Sequence, residues 1–369
     1  MKVCGVSINS LRVLKLRPNV TEPVLTRIDP FFSPRPWGTR SLAPLFPEKS
    51  NLREPIGEAW LTAQDSRVAN GPFAGKSLGE SWHAMPEDWK GTRNAAYPEF
   101  PVLAKFLFPK DKLSIQVHPD DAFAKHYEQA AGGRGKTEMW HIVSAEPGAA
   151  LLIGLKSGVS RTDFLEGVAH HTVEDLFVRY PVHAGETYFV EAGTQHAILP
   201  GMIVCEIQEY SDLTYRVYDY GRVDAQGKTR ELHLEKAMEV TKFNGTRSGP
   251  ITPLPLHSPD ANKHLLAACE FFATERWDCD RTTPIESDPT EFQLLVILSG
   301  SGVLYDPELS YPFVPGNTWF LPAGLPFALL QPKEPTSLLR VTVPDKAELN
   351  GQLLRMGFDQ QAISRVLMV

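Results

Sequence analysis

Gln116 and His118 stand two residues apart in the segment Ser114-Ile-Gln-Val-His-Pro-Asp-Asp. If that segment is extended, side chains at i and i+2 point to the same face. Glu138 opens the next strand-like run, and His196 sits just past the turn at Gly193. Two imidazoles, one carboxylate and one carboxamide satisfy a borderline metal such as Zn²⁺ and leave a position open for water or substrate. Singly, each histidine reads better as a hydrogen-bonded turn residue. Their joint occurrence in one unit of chain favours a metal.

Three further residues bear on chemistry. Lys136 lies on a glycine-rich loop beside Glu138, suited to an anionic substrate or to proton movement. That loop, Ala130-Ala-Gly-Gly-Arg-Gly-Lys-Thr137, also fits a relaxed nucleotide-binding pattern. A phosphate loop, however, should follow a strand and open a helix, and here the expected order is reversed. In the run Ile203–Tyr220, strand alternation puts Glu206 and Gln208 on one side. Arg216, set among Tyr215, Tyr218 and Tyr220, suits a phosphate or a polarised oxygen.

These residues must be positioned by many short elements. The chain has 369 residues, enough for two or three domains. Its 31 prolines exceed the usual ~5% share and imply many turns and short strands. A helix is predicted over 120–129, opened by Pro119 and closed by Gly132-Gly133. An amphipathic stretch over 160–177 has Phe164, Leu165, Val168, Leu176 and Phe177 as its apolar face, and a short helix is predicted over 232–239. Residues 183–198 (HAGETYFVEAGTQHAI) recur, 131 positions on, as 314–329 (VPGNTWFLPAGLPFAL). Upstream, MWHIVSAEPGAALL faces LLVILSGSGVLY, with Ser144 opposite Ser299, so the first copy carries an extra helical stretch near 157–180. Strand, tight glycine turn, strand, repeated twice, points to two β-barrel or jelly-roll units. Phe327 occupies the second copy's equivalent of His196, which makes the first copy the active unit and the second a scaffold.

The formal net charge of −7 argues against a nucleic-acid groove. It says nothing about a small phosphate met locally by Lys136 and Arg216. Cys4, Cys205, Cys269 and Cys279 show no C-x-x-C pair. Charges at Arg12, Lys15 and Arg17 break any secretory apolar core, and no window approaches the ~18 apolar residues of a membrane span. A soluble, cytoplasmic protein with no nucleic-acid or membrane partner is expected.

The chain resembles the type I phosphomannose isomerases in their shorter bacterial form, a family of cupin-fold zinc enzymes. The resemblance rests on PWG at 36–38, IGEAWLTA at 56–63, NGPFAGKSLGE at 70–80, FPVLAKFL at 100–107, LSIQVHPDD at 113–121, GKTEMWHI at 135–142, GETYFVEAGTQHAI at 185–198 and EIQEYSDLTYRVYDYGR at 206–222. It implies a mainly β fold of two cupin (jelly-roll) units with a few inserted helices: an N-terminal extension over 1–24, a catalytic unit over 25–240 and a metal-free unit over 241–369. It also implies one Zn²⁺ per chain on Gln116, His118, Glu138 and His196, and catalytic roles for Arg216, Glu206 and Lys136. Ser114, Lys136 and Arg216 become the candidate substrate contacts. The implied reaction interconverts mannose 6-phosphate and fructose 6-phosphate through an enediolate, with Glu206 the first choice of base and Lys136 the second. The implied partner is a small sugar phosphate, and the state a monomer or homodimer. The competing readings are a metal-dependent cupin oxygenase, whose usual 2-His-1-carboxylate site has no place for Gln116, and a non-catalytic sugar-phosphate-binding cupin.

Overall fold

The computed structural model describes residues 22–223 and 227–368. The expected extension over 1–24 and Cys4 therefore fall almost wholly outside the described residues. Four antiparallel sheets make two jelly-roll sandwiches, stacked so that the two largest sheets lie back to back. In the first unit the central order is Thr187–Val190, Glu138–Ala145, Met202–Glu209, Val102–Leu107; in the second it is Thr318–Leu321, Gln293–Ser299, Thr336–Thr342, Ala273–Cys279. The facing sheets match as well. Ile115–Val117, His196–Ile198, Ala150–Leu155 and Phe177–Pro181 correspond to Thr283–Ile285, Ala328–Pro332, Gly302–Tyr305 and Ser310–Phe313. Both copies of the repeat thus build the same eight strands in the same order.

The extra length of the first copy is where the sequence offset puts it. Tyr305 leads almost directly into Ser310–Phe313, whereas Leu155 is separated from Phe177–Pro181 by a helix at Arg161–Ala169 and a 3₁₀ turn at Val173–Leu176. Leu165 does not belong to the buried face: it is 38% exposed, while Phe164 is fully buried. In this nine-residue helix the buried positions are 164 and 167, with Val168 partly buried, and residue 165 lies about 100° round from 164. The other predicted helices form as Asp121–Tyr127, capped by the Asp120 side chain, and Leu234–Val240. The helices Leu78–Ala84 and Glu87–Lys90 were not anticipated, although Ser77 and Glu80 form a capping box at the head of the first.

The glycine shared by both copies has a backbone reason. Gly185 and Gly316 take φ of 90° and 81°, the left-handed region that a tight turn before Thr187 and Thr318 requires. The later pair diverges: Gly193 is left-handed at 87°, but Gly324 is not. Instead the Ala323 and Gly324 amides donate to the Trp89 and Asp88 carbonyls, both 2.9 Å. The units also exchange edges. Thr26–Asp29 pairs with Thr318–Leu321 of the second unit, and Gly249–Pro250 pairs with Thr187–Val190 of the first.

Because the large sheets are covered on both faces, their central strands are mostly buried, and the charged residues within them stand out. Val102–Leu107 is buried at every position, and its one charged residue is Lys105. The shared core between the sheets centres on Phe100, Phe292 and Phe320, with ring centroids of Phe292 5.1 Å from Phe100 and 5.2 Å from Phe320. Phe292→Ala should lower stability by about 3–5 kcal/mol in urea denaturation; a change below about 1 kcal/mol would place Phe292 outside the packing that joins the units.

Candidate active site

The metal-type cluster sits between the two sheets of the first unit. Gln116 and His118 come from the Ile115–Val117 strand and its end, Glu138 heads its strand across the gap, and His196 pairs directly with Gln116. The donor atoms of His118, Glu138 and His196 lie within 4.8 Å of one another, and all three side chains are buried. Glu138 Oε1 stands 3.4 Å from His196 Nε2 and 3.7 Å from His118 Nε2. No hydrogen-bond donor reaches that buried oxygen.

The backbone orients both rings. His118 Nδ1 lies 2.8 Å from the Leu213 carbonyl, and His196 Nδ1 lies 2.9 Å from the Thr194 carbonyl. Each Nδ1 must therefore be the protonated donor, which leaves each Nε2 lone pair facing Glu138. Burial pushes both imidazoles below their ordinary range, and for His118 the charges of Lys136 and a protonated His196 push further the same way. Both rings are thus neutral, the form a metal ligand needs. Gln116 completes the group: its carboxamide lies 3.3 Å from His196 Nε2 on one side and 3.3 Å from Ser114 Oγ on the other. Turning that amide over places its oxygen towards His196 and lets its NH₂ donate to Ser114. An orphaned carboxylate oxygen, two aimed lone pairs and an amide oxygen fit a divalent cation.

Lys136 is held between two carboxylates. It donates to Glu138 in a very short contact and to Glu206 Oε1 at 3.0 Å, and lies 3.4 Å from His118 Nε2. Burial alone would lower its pKa, but Glu138 and Glu206 outweigh burial and raise it. Glu206 is raised, chiefly by burial and also by Glu138, with Lys136 and Lys105 opposing. Burial raises Glu138, but Lys136, His196 and Glu206 together outweigh burial and lower it. Of the two carboxylates, Glu206 is the readier to take a proton.

A cleft of about 480 Å³ opens onto this cluster. Arg216 lines it, donating from Nε to Ser114 Oγ (3.3 Å) and from Nη1 to the Glu231 carbonyl (3.1 Å). Among the described residues no carboxylate comes within ion-pair distance of Arg216. Burial, then the neighbouring guanidinium of Arg230, lowers its pKa, with Arg222 and Arg35 adding to the effect. Arg35, Arg222 and Arg230 are paired with Glu58 and Asp219, so Arg216 is the guanidinium of this group that lacks a carboxylate and that an anion would satisfy. All eight candidate site residues singled out from the sequence therefore meet in one place. Arg35, Lys105 and Arg230, which also line the cleft, were missed. Lys105, 2% exposed, pairs with Asp212 (3.2 Å) and lies 4.2 Å from the Trp60 ring centroid. A lone lysine in an otherwise apolar strand was the available signal. Arg230 is held with Arg222 on Asp219, a junction formed by loops that carry no pattern. The nucleotide-loop lookalike is packed the wrong way for phosphate: the Gly135 amide donates to the Asp121 carboxylate at 2.7 Å, and a strand follows.

A jelly-roll unit presenting a His₂-Glu-Gln donor set beside a cationic cleft, stacked on a second jelly roll, defines a two-cupin protein with a metal-type site in one unit. Among the described residues no other group of three His, Cys, Asp or Glu side chains converges in this way. Residues 25–139 match the catalytic domain of phosphomannose isomerase type I, and 261–329 match the cupin domain of mannose-6-phosphate isomerase. The mannose-6-phosphate isomerase ManA of Bacillus subtilis is 33% identical over 83% of this chain and 94% of its own length. The mannose-6-phosphate isomerase of Streptococcus mutans is 32% identical over 73% and 83%. The crystal structure of the mannose 6-phosphate isomerase from Bacillus subtilis superposes with a TM-score of 0.78 at 30% identity, covering 86% of this chain and 99% of that one. The chain belongs to the type I phosphomannose isomerase family. No helix among the described residues is long and apolar enough to cross a membrane.

Proposed function

We propose that this protein is a zinc-dependent aldose–ketose isomerase that interconverts mannose 6-phosphate and fructose 6-phosphate in the cytoplasm. Residues 25–240 form its catalytic unit and 241–369 a second unit without metal. The observation that carries this reading is the buried, unpartnered Glu138 Oε1 facing two imidazole lone pairs, with Lys136 and Glu206 alongside. Gln116, His118, Glu138 and His196 would hold one Zn²⁺. When bound, zinc acts as a Lewis acid towards the oxygens at C1 and C2 of the sugar.

The protein's own groups account for the rest. Glu206, whose pKa burial has raised, takes the proton from C2 of the aldose and returns it to C1 of the enediolate, while the O2 hydroxyl proton passes to O1, giving the ketose. Lys136 remains an ammonium between Glu138 and Glu206 and holds the Glu206 carboxylate in place. Its raised pKa makes it the weaker choice of base. Arg216 and Ser114 bind the phosphate and oppose the negative charge that develops on the sugar.

The test is a coupled assay with mannose 6-phosphate, run before and after chelation. Turnover should vanish with chelator and return with Zn²⁺. Turnover that survives complete metal removal would refute the zinc reading. Zinc retained without turnover on any aldose phosphate would leave a sugar-phosphate-binding module instead.

A further inference from the structure

Strand register aligns the two large sheets position by position. In the first unit Trp140 opposes Tyr188 on one side and Glu206 on the other; in the second, Leu295 opposes Trp319 and Arg340. From that anchor, Gln293 stands where the first unit has Glu138, and Glu291 where it has Lys136. Arg340 stands where it has Glu206. Moving outward, Glu275 opposes Arg340 as Lys105 opposes Glu206, and Lys263 opposes Trp277 as Glu58 opposes Leu107. At these five equivalent positions the charge is reversed four times and lost once.

A cleft of about 440 Å³ is lined by three of these residues, Glu275, Glu291 and Arg340. We propose that it is a guanidinium-binding socket, and that Arg93 of the same chain is its resident ligand. Arg93 Nη1 donates to Glu291 Oε2 at 2.9 Å, and Nη2 donates to Glu348 Oε2 at 2.8 Å. Two carboxylates on two different nitrogens of one planar group are a pattern that guanidinium matches and an ammonium does not. Arg340 donates to Glu275 at 2.9 Å and to Gln293 at 2.7 Å and stands 3.9 Å from Glu291 Oε1, so the other oxygen, Oε2, is the one that takes the hydrogen bond from the incoming guanidinium.

The backbone carries a separate, independent sign of docking. Gly91, with φ of 84°, approaches so closely that a Cβ there would lie 2.5 Å from the Glu291 nitrogen and the Thr290 carbonyl. The Arg93 amide then donates to the Thr290 carbonyl at 2.9 Å. The same helical segment is gripped from the other side by the Ala323 and Gly324 amides. The second unit has thus turned the position of a catalytic cleft into a receptor for the first unit's own helical segment, which brings Trp82 and Trp89 into the shared core. That gives the second jelly roll a job independent of catalysis.

The test uses the full-length chain in thermal unfolding. Arg93→Ala should lower Tm by about 5 °C or more, because it strands a largely buried carboxylate. Guanidinium chloride at sub-denaturing concentration should raise the Tm of this variant but not that of the wild type. Sodium or ammonium chloride at the same ionic strength should not do so. In the Arg93→Ala/Glu291→Gln double variant the rescue should vanish. Arg93→Lys, which keeps the charge and removes the fork, should lose part of the Tm. The proposal is overturned if Arg93→Ala melts like the wild type, if any chloride salt rescues it equally, or if the rescue persists without the Glu291 carboxylate. A wild-type Tm in Arg93→Lys would likewise remove the case for guanidinium.

Discussion

In the His196→Ala variant, bound zinc and turnover should disappear together. In the proposed site the His196 ring would supply one of four donor atoms, and it packs against Trp140 with ring centroids 5.4 Å apart. Its removal leaves His118, Glu138 and the Gln116 amide without the fourth side of the site, and water can enter beside Glu138. Lewis-acid stabilisation by a bound metal is worth several kcal/mol, and each 1.36 kcal/mol is a factor of ten in rate. Turnover should therefore fall by about three orders of magnitude or more. Zinc content by atomic absorption, with circular dichroism to show that the sheets remain, reads the two effects separately. A folded His196→Ala protein with full zinc occupancy would sink the ligand assignment. His196→Gln, which restores an oxygen donor near the same place, should recover part of the metal and less of the rate.

Arg216→Ala should behave in the opposite way towards metal, keeping full zinc while losing most turnover. No hydrogen bond or ion pair joins the guanidinium to the His₂-Glu group; its side chain reaches the cluster through Ser114 to Gln116, and its backbone pairs with Gln116 across the sheet. Removing one preorganised donor to developing charge costs about 10²–10³ in kcat. Removing a phosphate contact raises KM as well, so kcat/KM should fall further than kcat. Arg216→Lys keeps the positive charge without the two-pronged geometry and should lie between wild type and alanine. Near-normal turnover in Arg216→Ala would take Arg216 out of the mechanism.

The contrast between these two variants reflects how the site is divided. One wall consists of His118, Glu138 and His196, buried to about 1% exposure, where neutral rings and an orphaned carboxylate oxygen await a cation. The other is a half-exposed group of guanidiniums in which Arg216 lacks a carboxylate and an anion would satisfy it. Lys136 and Glu206 lie at the junction, each shifted by the other and by burial.

Residue type and short-range spacing already picked out the residues that converge in the cluster. Gln116 and His118 alternate on one strand, Glu138 begins the next, and His196 follows a glycine turn whose copy lacks it. The repeat likewise carried the architecture, because two strands closed by a glycine turn have few ways to bury their faces other than against a second sheet. Leu165 was misplaced because an apolar residue beside Phe164 looks like part of a stripe until the helix is known to be only nine residues long. Lys105 was passed over because only pairing across the sheet sets it opposite Glu206, at a distance along the chain that no local pattern spans.

What the sequence by itself determined was therefore local: which side chains could bind a metal, which turns needed glycine, and that a unit of β structure occurs twice. What tertiary structure alone decided was register. The spacing between equivalent residues differs from strand to strand, since each connecting loop has its own length, so aligning one strand leaves the next out of step. Only hydrogen-bonded pairing brings Lys105, Glu206 and Trp140 into one row, and Glu275, Arg340 and Leu295 into its counterpart. The reversal of charge between the two clefts, and the arrival of Arg93 in the second, exist at that level and no lower. They depend on contacts between residues far apart in the chain, which become neighbours only when the sheets form.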